Sequence, residues 1–91
     1  MRLRWTSSAE RDLVRLYDFL APLNPQAASS VVRQLIAAAE QLLQFPELGA
    51  AVDGFSPRNV RHLFVGDYEL RYELAEPFIY VLRLWHTRED R

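Results

Sequence analysis

The closing run Phe78-Ile79-Tyr80-Val81-Leu82-Arg83-Leu84-Trp85 constrains this chain more than any other feature. β-Branched, aromatic and aliphatic side chains follow one another, and only Arg83 interrupts them. Such a run reads as a strand buried on both faces. It leads straight into a polar tail, His86-Thr87-Arg88-Glu89-Asp90-Arg91. The rest of the chain must supply that strand with neighbours.

Immediately upstream, Tyr68 to Leu74 alternates cleanly. Tyr68, Leu70, Tyr72 and Leu74 face one side, and Glu69, Arg71 and Glu73 the other, as in a sheet packed on one face. Gly66-Asp67 puts glycine at the first central position of a two-residue II′-type turn, which predicts a hairpin back to Val60–Val65. Ala75-Glu76-Pro77 is the turn into the final strand.

The first half is helical. Leu3-Arg4-Trp5 reads as a short opening strand. Ser7 followed by Glu10 is a capping-box pattern, and Ala9, Leu13, Leu16, Tyr17 and Leu20 form one apolar stripe before Pro22 stops the helix. Asn24 as N-cap and Pro25 at the first helical position start a second helix, expected from Pro25 to about Gln44. Two amphipathic helices joined by a few residues form an antiparallel hairpin. Residues 47–59 carry Pro, Gly and Asn at loop spacing and read as a surface connection, with Val52 and Phe55 tacking it to the core. The predicted fold is α+β, in the order β-α-α-β-β-β. An antiparallel sheet carries the helical hairpin on one face, and residues 1–91 form a single domain.

Composition narrows the chemistry. The absence of cysteine removes disulfides and thiolate metal sites, and two histidines without paired spacing support no metal centre, so no cofactor is expected. All eleven cationic side chains are arginine, against twelve carboxylates, for a net charge of −1. No lysine can act as base or nucleophile, and there is no global attraction to nucleic acid. The N-terminus lacks a signal-peptide core and no apolar stretch is long enough to span a bilayer, so a soluble cytoplasmic protein is expected. His62 falls within the Val60–Val65 alternation and reads as a structural histidine.

The uncovered face of the sheet is where function is expected. Alternation assigns Arg61, Glu69, Arg71, Glu73, Arg83 and Trp85 to it, with Ile79 and Val81 completing an apolar row. Mixed charges on neighbouring strands pair and solvate such a face. Arginines interleaved with apolar and aromatic groups are also the composition of an interface. On the second reading Arg61, Arg71, Ile79, Val81, Arg83, Trp85, His86 and Arg88 bind a partner. The row from Ile79 to Trp85 would then be covered by that partner or by a second copy of the chain.

Several segments together resemble the ParE/RelE superfamily of bacterial type II toxins. They are Trp5-Thr6-Ser7-Ser8-Ala9-Glu10-Arg11-Asp12-Leu13, Asn24-Pro25-Gln26-Ala27-Ala28, Phe45-Pro46-Glu47-Leu48-Gly49, Val60-Arg61-His62-Leu63, Val65-Gly66-Asp67-Tyr68-Glu69-Leu70-Arg71-Tyr72 and Val81-Leu82-Arg83-Leu84-Trp85-His86-Thr87-Arg88-Glu89-Asp90. The resemblance implies a β-α-α-β-β-β fold and an antitoxin whose C-terminal segment wraps and neutralises the toxin. It also implies one of two activities. RelE-like members cut messenger RNA on the ribosome, and ParE-like members act on DNA gyrase without a hydrolytic centre of their own. The chain departs from the nuclease pattern, because Glu69 stands where those nucleases carry a catalytic arginine. A carboxylate there repels the scissile phosphate. No tyrosine follows Tyr80, lysine is absent and the pI is about 6.1. The resemblance therefore favours the gyrase-directed branch and expects no catalytic residues. Arg61, Arg83 and His86 are the candidates should the chain be a nuclease.

Overall fold

The computed structural model describes residues 1–89. The elements are β1 (Arg2–Trp5), α1 (Ser7–Leu20), α2 (Pro25–Gln41), β2 (Ala50–Ala51), β3 (Asn59–Val65), β4 (Tyr68–Ala75) and β5 (Phe78–His86). They form one sheet of order β1-β5-β4-β3-β2, with the helical hairpin on one face. The predicted pairs β3–β4 and β4–β5 are antiparallel, and Gly66 adopts φ +58° at the II′ turn. Two features differ from the sequence reading. β1 runs parallel to β5, so the sheet is mixed, and residues read as loop supply β2, which pairs with His62 and Arg61 of β3.

One core joins the layers. Ala9 and Leu16 of α1, with Leu35, Ala39 and Leu42 of the second helix and its end, pack on Leu70, Tyr72, Ile79, Val81 and Leu84 of the sheet. Tyr72 is buried to its hydroxyl, which donates to Pro46 O at 2.8 Å and accepts from Gly49 N–H at 2.9 Å. That bond pair fastens the loop after α2 to the sheet. A Cβ on Gly49 would lie 2.5 Å from His62 O, so only glycine fits there.

The junction of β1, α1 and β5 fixes the geometry of the functional face. Thr6, rather than Ser7, is the N-cap of α1: its Oγ1 accepts from Ala9 N–H at 3.1 Å. The same hydroxyl lies 3.0 Å from both Val81 O and Leu82 O, a donor shared between two carbonyls. These carbonyls belong to a β-bulge. Between Arg71 and Tyr72 the register on β5 jumps from Arg83 to Val81, leaving Leu82 unpaired. Nearly two turns further along α1, Asp12 accepts Leu84 N–H at 2.9 Å, Arg83 Nε at 2.8 Å and Arg15 Nη2 at 3.1 Å. Arg15 also donates to Leu84 O at 3.0 Å. Side chains of Thr6, Asp12 and Arg15 thus satisfy the backbone of β5 where β1 no longer reaches it.

The bulge changes which residues face where. Ile79 and Val81, expected on the open face, lie fully buried beneath the helices opposite Leu74 and Tyr72, and cannot bind a partner. Arg61 is likewise displaced from the open face. It pairs with Tyr72 on the helix side of the sheet, where it donates to Gly49 O at 2.8 Å and Asn59 Oδ1 at 3.0 Å. Past the bulge, parity inverts. Leu84 enters the core, while Arg83 and Trp85 come to the open side.

Three outcomes test this packing. Gly49→Ala should cost about 1–3 kcal/mol in urea unfolding, because the new methyl meets backbone and a buried ring. Asp12→Ala should cost about 1–3 kcal/mol, chiefly because it strands Leu84 N–H; Arg83 and Arg15 keep solvent and other partners. Burial alone would raise the Asp12 carboxyl, but hydrogen bonds from Arg83, Leu84 N–H and Arg15 outweigh it and hold it below the usual range. A depressed folded value means the stabilisation is complete above the unfolded value of about 4 and is lost as pH falls through the folded one. Stability measured between pH 7 and 3 should therefore fall less steeply in Asp12→Asn than in the wild type.

Candidate functional site

Across the open face, cations and aromatic rings alternate. The Arg83 guanidinium lies 5.2 Å from the Trp85 ring centroid, and Arg71 lies 4.9 Å from the same ring. Arg71 is 5.7 Å and Arg58 5.6 Å from the centroid of the Phe55 ring. The sequence Arg83–Trp85–Arg71–Phe55–Arg58 makes a ladder of cation–π contacts across β5, β4 and the loop before β3. Carboxylates close both ends. Asp12 binds Arg83, and Glu73 takes Arg58 through bonds of 3.0 and 2.8 Å. Arg58 holds the Glu73 carboxyl below the usual range, against the opposing effect of burial.

Beneath the middle of the ladder sits Glu69, only 3% exposed. Its Oε2 is 3.3 Å from His62 Nδ1 and 3.4 Å from Arg71 Nη2. His62 packs at 5.0 Å from Phe64, which is 57% exposed at the edge of the face. The strand registers explain this grouping: His62 pairs with Arg71, Phe64 with Glu69, and Glu69 with Trp85. The carboxylate expected at Glu69 thus lies at the centre of the face.

Of the residues predicted from sequence, the face unites Arg71, Arg83 and Trp85. Trp85 is on the predicted side but is nearly covered by its arginines rather than exposed. His86 points the other way, its ring edge-on to Tyr68 at 5.1 Å, and its Nδ1 accepts Arg88 N–H at 3.1 Å. Arg88 lies in the turn after β5, away from the ladder. Phe55, Arg58, His62 and Phe64 were not assigned to this face from sequence. For His62 and Phe64 the signal was available, since a two-residue turn at Gly66-Asp67 fixes their register against Arg71 and Glu69. Phe55 and Arg58 come from a loop whose path no local pattern dictates.

The arrangement suits recognition of a surface. Its cations are already held by carboxylates and rings, and the face offers flat, amphipathic groups in fixed positions. Among the described residues no group of histidines and carboxylates could hold a metal ion, and no helix is long and apolar enough to cross a membrane.

Comparison with known proteins agrees with the fold. The chain is 30% identical over 84 residues to Toxin RelE2 of Caulobacter vibrioides, covering 91% of each chain. It is 34% identical over 84 residues to Toxin RelE1 of the same organism, covering 91% of this chain and 89% of that one. Among solved structures, a chain of the chromosomal ParDE toxin–antitoxin system from P. aeruginosa superposes with a TM-score of 0.79 at 27% identity, covering 94% of this chain and 95% of the other. A chain of the RelBE2 toxin–antitoxin complex from Mycobacterium tuberculosis shares the fold, with a TM-score of 0.63 at 24% identity, covering 93% and 95%. The family described as ParE toxin of type II toxin–antitoxin system, parDE, matches residues 3–91, and the chain belongs to that family, a type II toxin of the ParE/RelE superfamily.

Proposed function

We propose that the protein arrests growth by binding DNA gyrase through the open face of its sheet, performs no hydrolysis of its own, and is held inactive by a cognate antitoxin. The observation that carries this reading is the central placement of Glu69. A face that stabilises a phosphorane-like transition state needs cationic donors aimed at an open position. Here a carboxylate sits at the centre, Arg71 leans on it between two rings, Arg83 is bound to Asp12, and Arg61 lies on the far side of the sheet. Groups fixed this way suit contact with a protein surface, where pre-ordered arginine and tryptophan are common anchors.

A ribosome-dependent endoribonuclease is the second reading. It is favoured by the RelE names of the relatives and by His62, whose ring lies within reach of Glu69 on the same face. In that reading His62, not His86, is the acid–base candidate, and Arg71 and Arg83 carry the charge of the transition state.

Purified protein added to a gyrase supercoiling reaction should inhibit it. Arg71→Ala and Phe64→Ala should each weaken inhibition by about tenfold or more, with the fold retained by circular dichroism. Primer extension on transcripts from cells arrested by the protein should show intact messages. In-frame cuts together with unimpeded supercoiling would transfer the function to the ribonuclease reading. Normal growth with neither effect would make the chain a non-toxic member kept for antitoxin binding.

A further inference from the structure

The open face does not end at the ladder. Before the bulge, β5 turns Ile79 and Val81 into the core, so the alternate residues Phe78 and Tyr80 lie on the open side. Tyr80 pairs with Glu73, the carboxylate that closes the ladder. β1 continues the same surface. Its Leu3 and Trp5 pack against the core, which leaves Arg2 and Arg4 on the open side, in register with Phe78 and Tyr80. The Arg4 guanidinium lies 5.0 Å from the Phe78 ring centroid, and the Phe78 and Tyr80 rings lie 5.6 Å apart, tilted by 46°. Two arginines and two rings thus form a second cation–aromatic patch at the β1 edge of the sheet.

This patch differs from the ladder in its charge balance. Arg83, Arg71 and Arg58 each bond a carboxylate, from Asp12, Glu69 and Glu73. Arg2 and Arg4 are exposed, and neither meets a carboxylate among the described residues. About 6.6 Å of strand separates them. The edge therefore offers two cations to a partner, beside rings that are only partly covered. That is charge complementarity for an acidic protein segment with an apolar side chain, carboxylates on the arginines and the apolar group on the rings. A nucleic acid fits less well. Its unbroken row of phosphates would run onto Glu76, exposed in the turn before Phe78, and a net charge of −1 gives no wider attraction. A second copy of the chain also fits poorly, because a two-fold contact centred here would set Arg2 and Arg4 of both copies against each other.

We infer that an acidic segment of gyrase docks at the β1 edge of the open face, its carboxylates on Arg2 and Arg4 and an apolar side chain against Phe78 and Tyr80. The inference rests on the gyrase reading and adds the chemistry of the surface that is recognised. The ladder supplies the charge-balanced, pre-ordered part of the contact, and the β1 edge supplies its charge specificity. Cations at the rim of an interface act mainly on the association rate and its dependence on salt.

The test measures binding of the full chain to purified gyrase holoenzyme without DNA, by surface plasmon resonance at low and at high salt. Arg4→Glu should slow association and weaken affinity about tenfold, and Arg2→Glu combined with Arg4→Glu about 100-fold. Arg4→Gln should fall between the wild type and Arg4→Glu. All should keep the melting temperature of the wild type, and the double variant should lose most of the salt dependence of the association rate. If the wild type binds gyrase and the double variant binds it equally well, the inference is overturned and the gyrase reading stands. A loss in the double variant that appears only once duplex DNA is added would also overturn it, by making the edge a phosphate contact. A wild type that does not bind gyrase, with or without DNA, overturns the gyrase reading and the inference with it.

Discussion

The carboxylate of Asp12 holds this molecule in its working shape. It reaches from α1 to a point on β5 where the strand has lost its neighbour and its regular pleat. There it accepts the Leu84 amide and the Arg83 guanidinium together. A buried carboxylate with no partner would be expensive, and an unpaired strand amide nearly so. Each meets the other's need. Thr6 does the same for the carbonyls of Val81 and Leu82, and Arg15 for that of Leu84. Three side chains of one short segment act as a substitute strand along this edge. An edge closed in this way is protected from pairing with another chain, at no cost of a further strand.

The bulge that these groups hold connects fold to function. Without it, Arg83 and Trp85 would follow Ile79 and Val81 into the helix side of the sheet. With it, the first half of β5 builds the core and the second half builds the open face. Arg83 is then shared between Asp12 and the Trp85 ring, so the anchor of the core is also the first rung of the cation–aromatic ladder. The far end of the ladder depends on the Arg58–Glu73 pair and on Phe55, carried by a loop. That end is more exposed and its charge pair is worth less in water.

Much of this was legible in the sequence, and the failures have definite causes. The alternation of Tyr68 to Leu74 and the Gly66-Asp67 turn correctly specify the β3–β4 hairpin. Followed through, the same two facts place Arg61 on the side of Tyr72 and His62 on the side of Arg71. The reading of Arg61 on the open face used alternation along its own strand without carrying the register across the turn. The short turn before Phe78 similarly places Ile79 with Leu74 and Val81 with Tyr72. The bulge at Leu82 is different. It depends on hydrogen bonds from residues some seventy positions away in the chain, such as the Thr6 and Asp12 contacts, and no local pattern within Val81-Leu82-Arg83-Leu84 announces it. Asp12 falls outside the apolar stripe of Ala9, Leu13, Leu16, Tyr17 and Leu20, yet it is 4% exposed. Periodicity, caps and turns supplied the order of elements, which the family resemblance shares, and tertiary contacts decided which way the side chains point.

Amide hydrogen exchange at Leu84 tests the central claim most directly, because that one N–H reports whether Asp12 pins the bulge. The Leu84 amide should be protected as strongly as the paired amides of β4 and β5, and its protection should be lost selectively in Asp12→Ala. Rapid exchange of Leu84 in the wild type, or protection unchanged by removing Asp12, would contradict the account.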